Sequence, residues 1–222
     1  VEDAFEVHTY AAVSSRGSGL GVSSALAVVL SACFQKFIAL RAGLRPDLCP
    51  EESVAESLDW AILRAGDAWT VEIDRLRRPI GRQDHMAAAC GGLRLYAFEG
   101  DSARVERTFS EEDAFWICRH LVLLPLPGGH DAREILSGVK STSALEAAAQ
   151  AVSEAVRAIE DRDVRFLGRA LALGQASKGE IPGAVPAEVA ARVSAALRVP
   201  GVFGCKVAGA GGGGHLVAVV ED

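Results

Sequence analysis

The 222-residue sequence has no C-x-x-C pair and no run of basic residues, and its five cysteines (Cys33, Cys49, Cys90, Cys118, Cys205) are odd in number and scattered. The cysteine pattern gives neither a zinc site nor a disulfide framework, which points to a reducing, cytoplasmic setting. The lack of basic clusters, with a net charge of −6, argues against a nucleic-acid partner, because a phosphate backbone demands clustered Lys and Arg. No uninterrupted apolar run reaches the roughly 18 residues of a membrane span. No signal peptide is recognisable either, so no membrane partner is expected. What is present suits a globular chain with a small-molecule partner: 50% of residues are hydrophobic and 23% charged. That length can bury the core of one large domain or two small ones.

The chemistry concentrates first in Arg16-Gly17-Ser18-Gly19-Leu20-Gly21-Val22-Ser23-Ser24-Ala25. Glycines at alternate positions open backbone conformations closed to other residues and let a ligand approach the main chain. The serines fall where a long apolar helix begins. A helix N-terminus offers unpaired N–H groups and positive dipole charge to a phosphate chain. A serine hydroxyl there can ligate the Mg²⁺ that accompanies a nucleotide. The stretch is not a P-loop, since Val22 holds the slot of the lysine, and G-x-G-x-x-G fails because its third glycine would be residue 22. A glycine-rich turn capping a core helix is the alternative reading.

In chain order, Ala4 to Val13 reads as a strand delivering that turn, and Ser23 to Ala42 as a buried helix stopped by Gly43. Glu51 to about Leu76 reads as another helix, with Val54, Leu58, Ala61, Ile62, Ala65 and Trp69 on one face and Glu72 in its last turns. The segment Gly81-Arg82-Gln83-Asp84-His85 leads through small residues to Gly91-Gly92 and a strand, Leu93 to Phe98. Locally, Asp84 is either a helix cap or a working carboxylate. Trp116 to Leu126 reads as a buried strand, and a new domain is expected from about Glu111. Helices follow at Asp131 to Val139, Ser143 to Glu160, Val164 to Lys178 and Pro186 to Leu197. The closing stretch contains Lys206-Val207-Ala208-Gly209-Ala210-Gly211-Gly212-Gly213-Gly214. Its formal G-x-G-x-x-G is rejected as a dinucleotide site because a β-branched strand, not a helix, follows.

These three segments, in this order, resemble the motifs of the GHMP kinases, the family of galactokinase, homoserine kinase, mevalonate kinase and phosphomevalonate kinase. The first is similar to G-x-G-L-[GS]-S-S-A, with Val22 in place of a serine. The second is similar to the G-[KR]-Q-D-x-x-x-A-x-x-G-G of the sugar kinases, above all those of D-glycero-D-manno-heptose 7-phosphate. The third is similar to K-x-x-G-A-G-G-G-G. The resemblance implies a two-domain α+β fold. Residues 1–112 would form an incomplete, ATP-binding N-terminal domain like domain 2 of ribosomal protein S5. Residues 113–222 would form a ferredoxin-like C-terminal α/β sandwich, with the active site between the two.

The resemblance further implies ATP on Gly17, Ser18, Gly19, Leu20, Gly21, Ser23, Ser24, Gly209, Ala210, Gly211 and Gly212. It implies Mg²⁺ on Ser23 and Glu72, and Asp84 as the catalytic acid-base residue. The activity implied is transfer of the γ-phosphate of ATP to a sugar hydroxyl, the anomeric one of a heptose 7-phosphate. A galactose, fucose, mevalonate or homoserine kinase, or a non-catalytic sugar- or nucleotide-binding relative, is the alternative. The chain starts at Val1 and lacks the segment that precedes the phosphate loop in the family, so a fragment is expected.

Overall fold

The computed structural model describes residues 6–10, 17–43, 58–78, 80–100, 102–126, 142–181 and 183–221. The first described helix, α1, spans Val22–Arg41. Helix α2, Leu58–Thr70, runs on into one π-helical turn, Val71–Arg75. Helix α3 is Gln83–Cys90, and all three pack on one another. The expected apolar face of α2 is in place: Ala61, Ala65 and Ala68 are buried, and alanines at this spacing let helices approach closely. Val54 lies outside the described residues.

Strands β1 (Arg94–Glu99) and β2 (Ser102–Thr108) form an antiparallel hairpin. Helix α4 follows at Glu111–Arg119, then β3 at Leu121–Pro125. Helices α5 (Thr142–Asp161), α6 (Val164–Gly179) and α7 (Ala187–Ala196) precede the last strands, β4 (Val202–Val207) and β5 (His215–Val220). The second sheet is antiparallel in the order β3-β5-β4. Alternation along β5 sends Leu216 and Ala218 into a cluster with Val189 and Val193 of α7. It sends Val219 to the opposite face, against Ala158 and Leu167 of α5 and α6. Where α6 crosses β4, Gly168 meets Gly204, and a Cβ on Gly204 would stand 1.9 Å from the Gly168 carbonyl oxygen. The architecture is α+β, as expected.

Several sequence expectations are corrected. Residues 6–10 form no strand and are exposed; the rest of the strand expected over 4–13 lies outside the described residues. The apolar run Trp116 to Leu126 is divided between α4 and β3. Ser110 caps α4 by accepting from the Asp113 N–H, while the Asp113 carboxylate accepts from the Ser110 N–H, a reciprocal box. With three acids in the first turn, the cap commits Trp116 to a helix. The helix expected over Asp131 to Val139 lies outside the described residues. Contrary to the reading of apolar runs, α1 is long and apolar enough to cross a membrane, by length and composition only. Its serines and Lys36 interrupt the run without lowering the hydropathy of the whole helix below that level. Val29, Ile38 and Leu40 on it are exposed.

Candidate functional site

The turn before α1 has the geometry its glycines permit. Gly17, Gly19 and Gly21 hold φ values of 66°, 70° and 69°, a left-handed conformation that is costly for residues bearing a Cβ. The first helical bond is donated by the Ala25 N–H to the Gly21 carbonyl, at 3.0 Å. The N–H groups of Val22, Ser23 and Ser24 therefore lie ahead of the intrahelical ladder. No acidic residue occupies the first turn and no side chain caps it, so the positive end of the helix is left for an anion.

The closing glycine segment seats against this turn, backbone on backbone. A Cβ on Gly19 would fall 2.7 Å from the Ala208 carbonyl oxygen, and one on Gly209 would fall 2.8 Å from the Gly19 Cα. One on Gly214 would stand 2.2 Å from the Gly17 carbonyl oxygen. His215 Nδ1 donates to the Ser18 carbonyl at 2.8 Å. Gly211 and Gly212 are buried within the segment, Ala210 is half-buried and Gly209 is exposed. The third face belongs to Asp84: a Cβ on Gly21 would lie 3.4 Å from the Asp84 carboxyl carbon. The structure thus brings the three sequence segments to one place.

Beneath Asp84 lies a polar cluster that sequence reasoning did not assemble. Glu72, on the π-helical turn, is 2% exposed. Arg78 Nη1 donates to its Oε1 at 2.7 Å, and His85 Nε2 stands 2.7 Å from its Oε2. Ser24 Oγ donates to the same Oε2 at 3.4 Å. His85 is fully buried, and its Nδ1 has no partner among the described residues. The π-turn is the local cause: it widens the helix, a distortion common at functional sites. The sequence signals were present, in an acid near the end of a helical pattern and a histidine directly after Asp84, but neither spacing joins positions 24, 72, 78 and 85.

Asp84 stands in the first turn of α3 and keeps an exposed face. It does not cap the helix with its side chain; that position falls to Arg82. Burial of part of the carboxyl raises its pKa above the usual value, His85 opposes the rise, and Glu72 adds to it. The Arg82 guanidinium lies 3.9 Å over the Trp69 ring, a cation–π contact. The Trp69 indole N–H in turn donates to the Ile80 carbonyl at 3.0 Å, which fixes the approach to α3.

The donor set fits a phosphate chain, since the glycine positions a Cβ would fill line the helix N-terminus. For Mg²⁺ the two expected ligands differ. The Ser23 side chain is exposed at the turn and suits a hard cation. The serine hydroxyl facing Glu72 belongs to Ser24, and both Glu72 oxygens already accept bonds. Glu72 reaches a metal only by exchanging one of these partners.

Comparison with known proteins bears on family and fold. Residues 154–222 match the family described as GHMP kinases C terminal. Among solved structures the chain is similar to a D-glycero-D-manno-heptose 1-phosphate kinase from Bacteriodes thetaiotaomicron. That match has a TM-score of 0.60 at 22% identity and covers 94% of this chain and 55% of that one. At that identity the likeness is one of fold, and the chain spans about half the length of the protein it matches. No curated protein sequence matches the chain. The last third of the chain thus matches the C-terminal family model of the GHMP kinases, and nearly all of its length shares the fold of a solved heptose phosphate kinase.

Proposed function

We propose that the chain is the larger part of an ATP-dependent sugar kinase, cytoplasmic, that phosphorylates the anomeric hydroxyl of a heptose 7-phosphate. The observation that carries this is the convergence of two glycine turns and Asp84 at the N-terminus of α1. Residues 1–112 hold the phosphates in this reading, and residues 113–222 support them from behind. The N–H groups of Val22, Ser23 and Ser24 receive phosphate oxygens, with Gly17 to Gly21 and Gly209 to Gly212 shaping the wall. Ser23 and Glu72 would hold Mg²⁺, with Glu72 releasing Arg78 or His85 to do so. The ion would supply neutralisation of phosphate charge.

Phosphoryl transfer asks the protein mainly to align the acceptor and stabilise charge. Asp84 orients the sugar hydroxyl and accepts its proton as the new P–O bond forms. Its raised pKa suits that work, because a stronger base takes the proton more readily. The similar solved kinase, named for heptose 1-phosphate, supports a sugar-phosphate acceptor, as does the Gly81-Arg82-Gln83-Asp84 segment. The test is a panel of sugars and sugar phosphates offered with Mg·ATP to the full-length protein. Phosphorylation of a heptose 7-phosphate at its anomeric position is expected. ATP binding with no transfer to any sugar would instead mark a nucleotide sensor.

A further inference from the structure

Lys178, in the last turn of α6 and 8% exposed, bonds the closing glycine segment. Its Nζ donates to the Gly209 carbonyl at 2.6 Å and also to the Val207 carbonyl. Gln175, one turn earlier, accepts from the Val207 N–H at 2.8 Å. These bonds have a topological cause. Among the described residues strand β4 lies at the edge of its sheet, and the neighbouring Ala208 N–H bonds across to the His215 carbonyl of the β5 side. The Val207 N–H and carbonyl therefore point outward, where an edge needs partners. Helix α6 supplies them through Gln175 and Lys178. The Lys178 stem also lies under the turn: a Cβ on Gly211 would meet its Cδ at 3.3 Å.

We propose that Lys178 is a positioning residue for nucleotide binding, a clasp that fixes the Gly209–Gly214 turn against the phosphate loop by holding the carbonyls of Val207 and Gly209. This rests on the kinase reading above. The turn itself is rich in glycine and has little intrinsic preference for one shape. It meets the phosphate loop through contacts that tolerate no displacement, since Gly209 abuts Gly19. An ammonium holding two carbonyls supplies the missing constraint, because bonds from a charged donor are stronger than neutral ones.

Burial holds the Lys178 ammonium down to about pKa 7, with Lys206 of β4 adding repulsion. Lys206 is lowered too, by its own burial, and its Nζ would lie 3.5 Å from a Cβ on Gly174 of α6. Among the described residues neither ammonium has a carboxylate partner. Glu180, just beyond α6, is engaged by Ser143 of α5, and His215 of β5 turns to Ser18. The clasp is thus charged below neutrality and neutral above it, which weakens its hold on the two carbonyls as pH rises.

The test compares wild type, Lys178→Met and Lys178→Arg in the full-length protein. Amide hydrogen exchange of residues 207–214 is read without nucleotide, and the Mg·ATP Kd is read by calorimetry at pH 6 and pH 8. Methionine keeps the stem and removes the donors. Exchange in residues 207–214 and the Kd at pH 6 should each rise about tenfold in Lys178→Met, the loss of one good hydrogen bond. Arginine, which stays charged, should recover part of both. Wild-type affinity should weaken from pH 6 to pH 8, and that change should vanish in Lys178→Met. Unchanged exchange and Kd in Lys178→Met would overturn the clasp. Absence of ATP binding by the wild type would overturn the kinase reading instead, and the exchange data alone would then decide whether Lys178 holds the turn.

Discussion

His215 donates through Nδ1 to the backbone carbonyl of Ser18 at 2.8 Å, across a separation of 197 residues. A carbonyl can only accept, so the ring carries its proton on Nδ1, and the bond fixes both tautomer and orientation. With Gly214 pressed on Gly17 and Ser18, it makes the two glycine turns one structural unit. Substitutions on either side of the seam should therefore act on the same binding event.

Gly19 and Gly91 separate strain from collision. Both have positive φ, 70° and 60°, but a Cβ on Gly91 meets nothing within 4 Å. Alanine at either position should cost about 1–3 kcal/mol in backbone strain, at Gly91 because φ 60° with ψ −178° is a region nearly confined to glycine. Gly19→Ala alone should also push Ala208 away and weaken Mg·ATP more than about tenfold. Calorimetry on both variants checks this; equal affinities would place the phosphates elsewhere.

Glu72→Gln distinguishes a metal ligand from the hub of a polar cluster. Gln keeps the shape but removes the charge facing Arg78 and His85, and the midpoint of urea unfolding should fall by the equivalent of about 1–3 kcal/mol. If Glu72 also binds Mg²⁺, activity should fall and be partly restored by high Mg²⁺. An unaltered Mg²⁺ requirement would leave Glu72 a structural role alone.

Asp84→Asn should leave ATP binding and thermal stability near normal, because among the described residues the side chain does not cap α3. Turnover should drop by about 10²–10⁴, the usual share of a general base. Normal turnover in the variant would remove Asp84 from the chemistry.

Lys178 makes stability depend on pH in a definite direction. Its ordinary value of 10.5 falls to about 7 in the folded chain. Between those values the unfolded state binds the extra proton, so stability contributed here rises with pH through that window and is lost on descending to about 7. From pH 7 to pH 9 the gain should approach about 2 kcal/mol in wild type relative to Lys178→Met. Urea unfolding of both at the two pH values measures it, and a constant difference would show that Lys178 is already titrated as in water.

The sequence made the three converging segments and most of the described helices legible because their signals are local. Glycines at alternate positions before an apolar run announce a turn and a helix N-terminus, and α5, α6 and α7 lie close to the expected spans. The strand expected at Trp116 failed because a capping box at Ser110 outweighed an apolar run, a competition that hydrophobicity alone does not register. The cluster around Glu72 was not legible, since Arg78 and His85 meet it only through the π-turn and the packing of α3. Lys178 closes the helix expected over Val164 to Lys178, and nothing in the neighbouring sequence marks it. Its meaning depends on which strand lies at the sheet edge, and topology of that kind is set by the whole fold.

The seam between the glycine turns also has a consequence for synthesis. At ribosomal rates of about 5–20 residues per second, the 197 residues between Ser18 and His215 take roughly 10–40 s to make. Through that interval the first turn has no second turn to lie against, and the apolar face of α1 is already exposed to the cell. The seam therefore forms only after the last strand has been made, and on the kinase reading proposed above a nucleotide would stabilise only molecules in which that strand has docked.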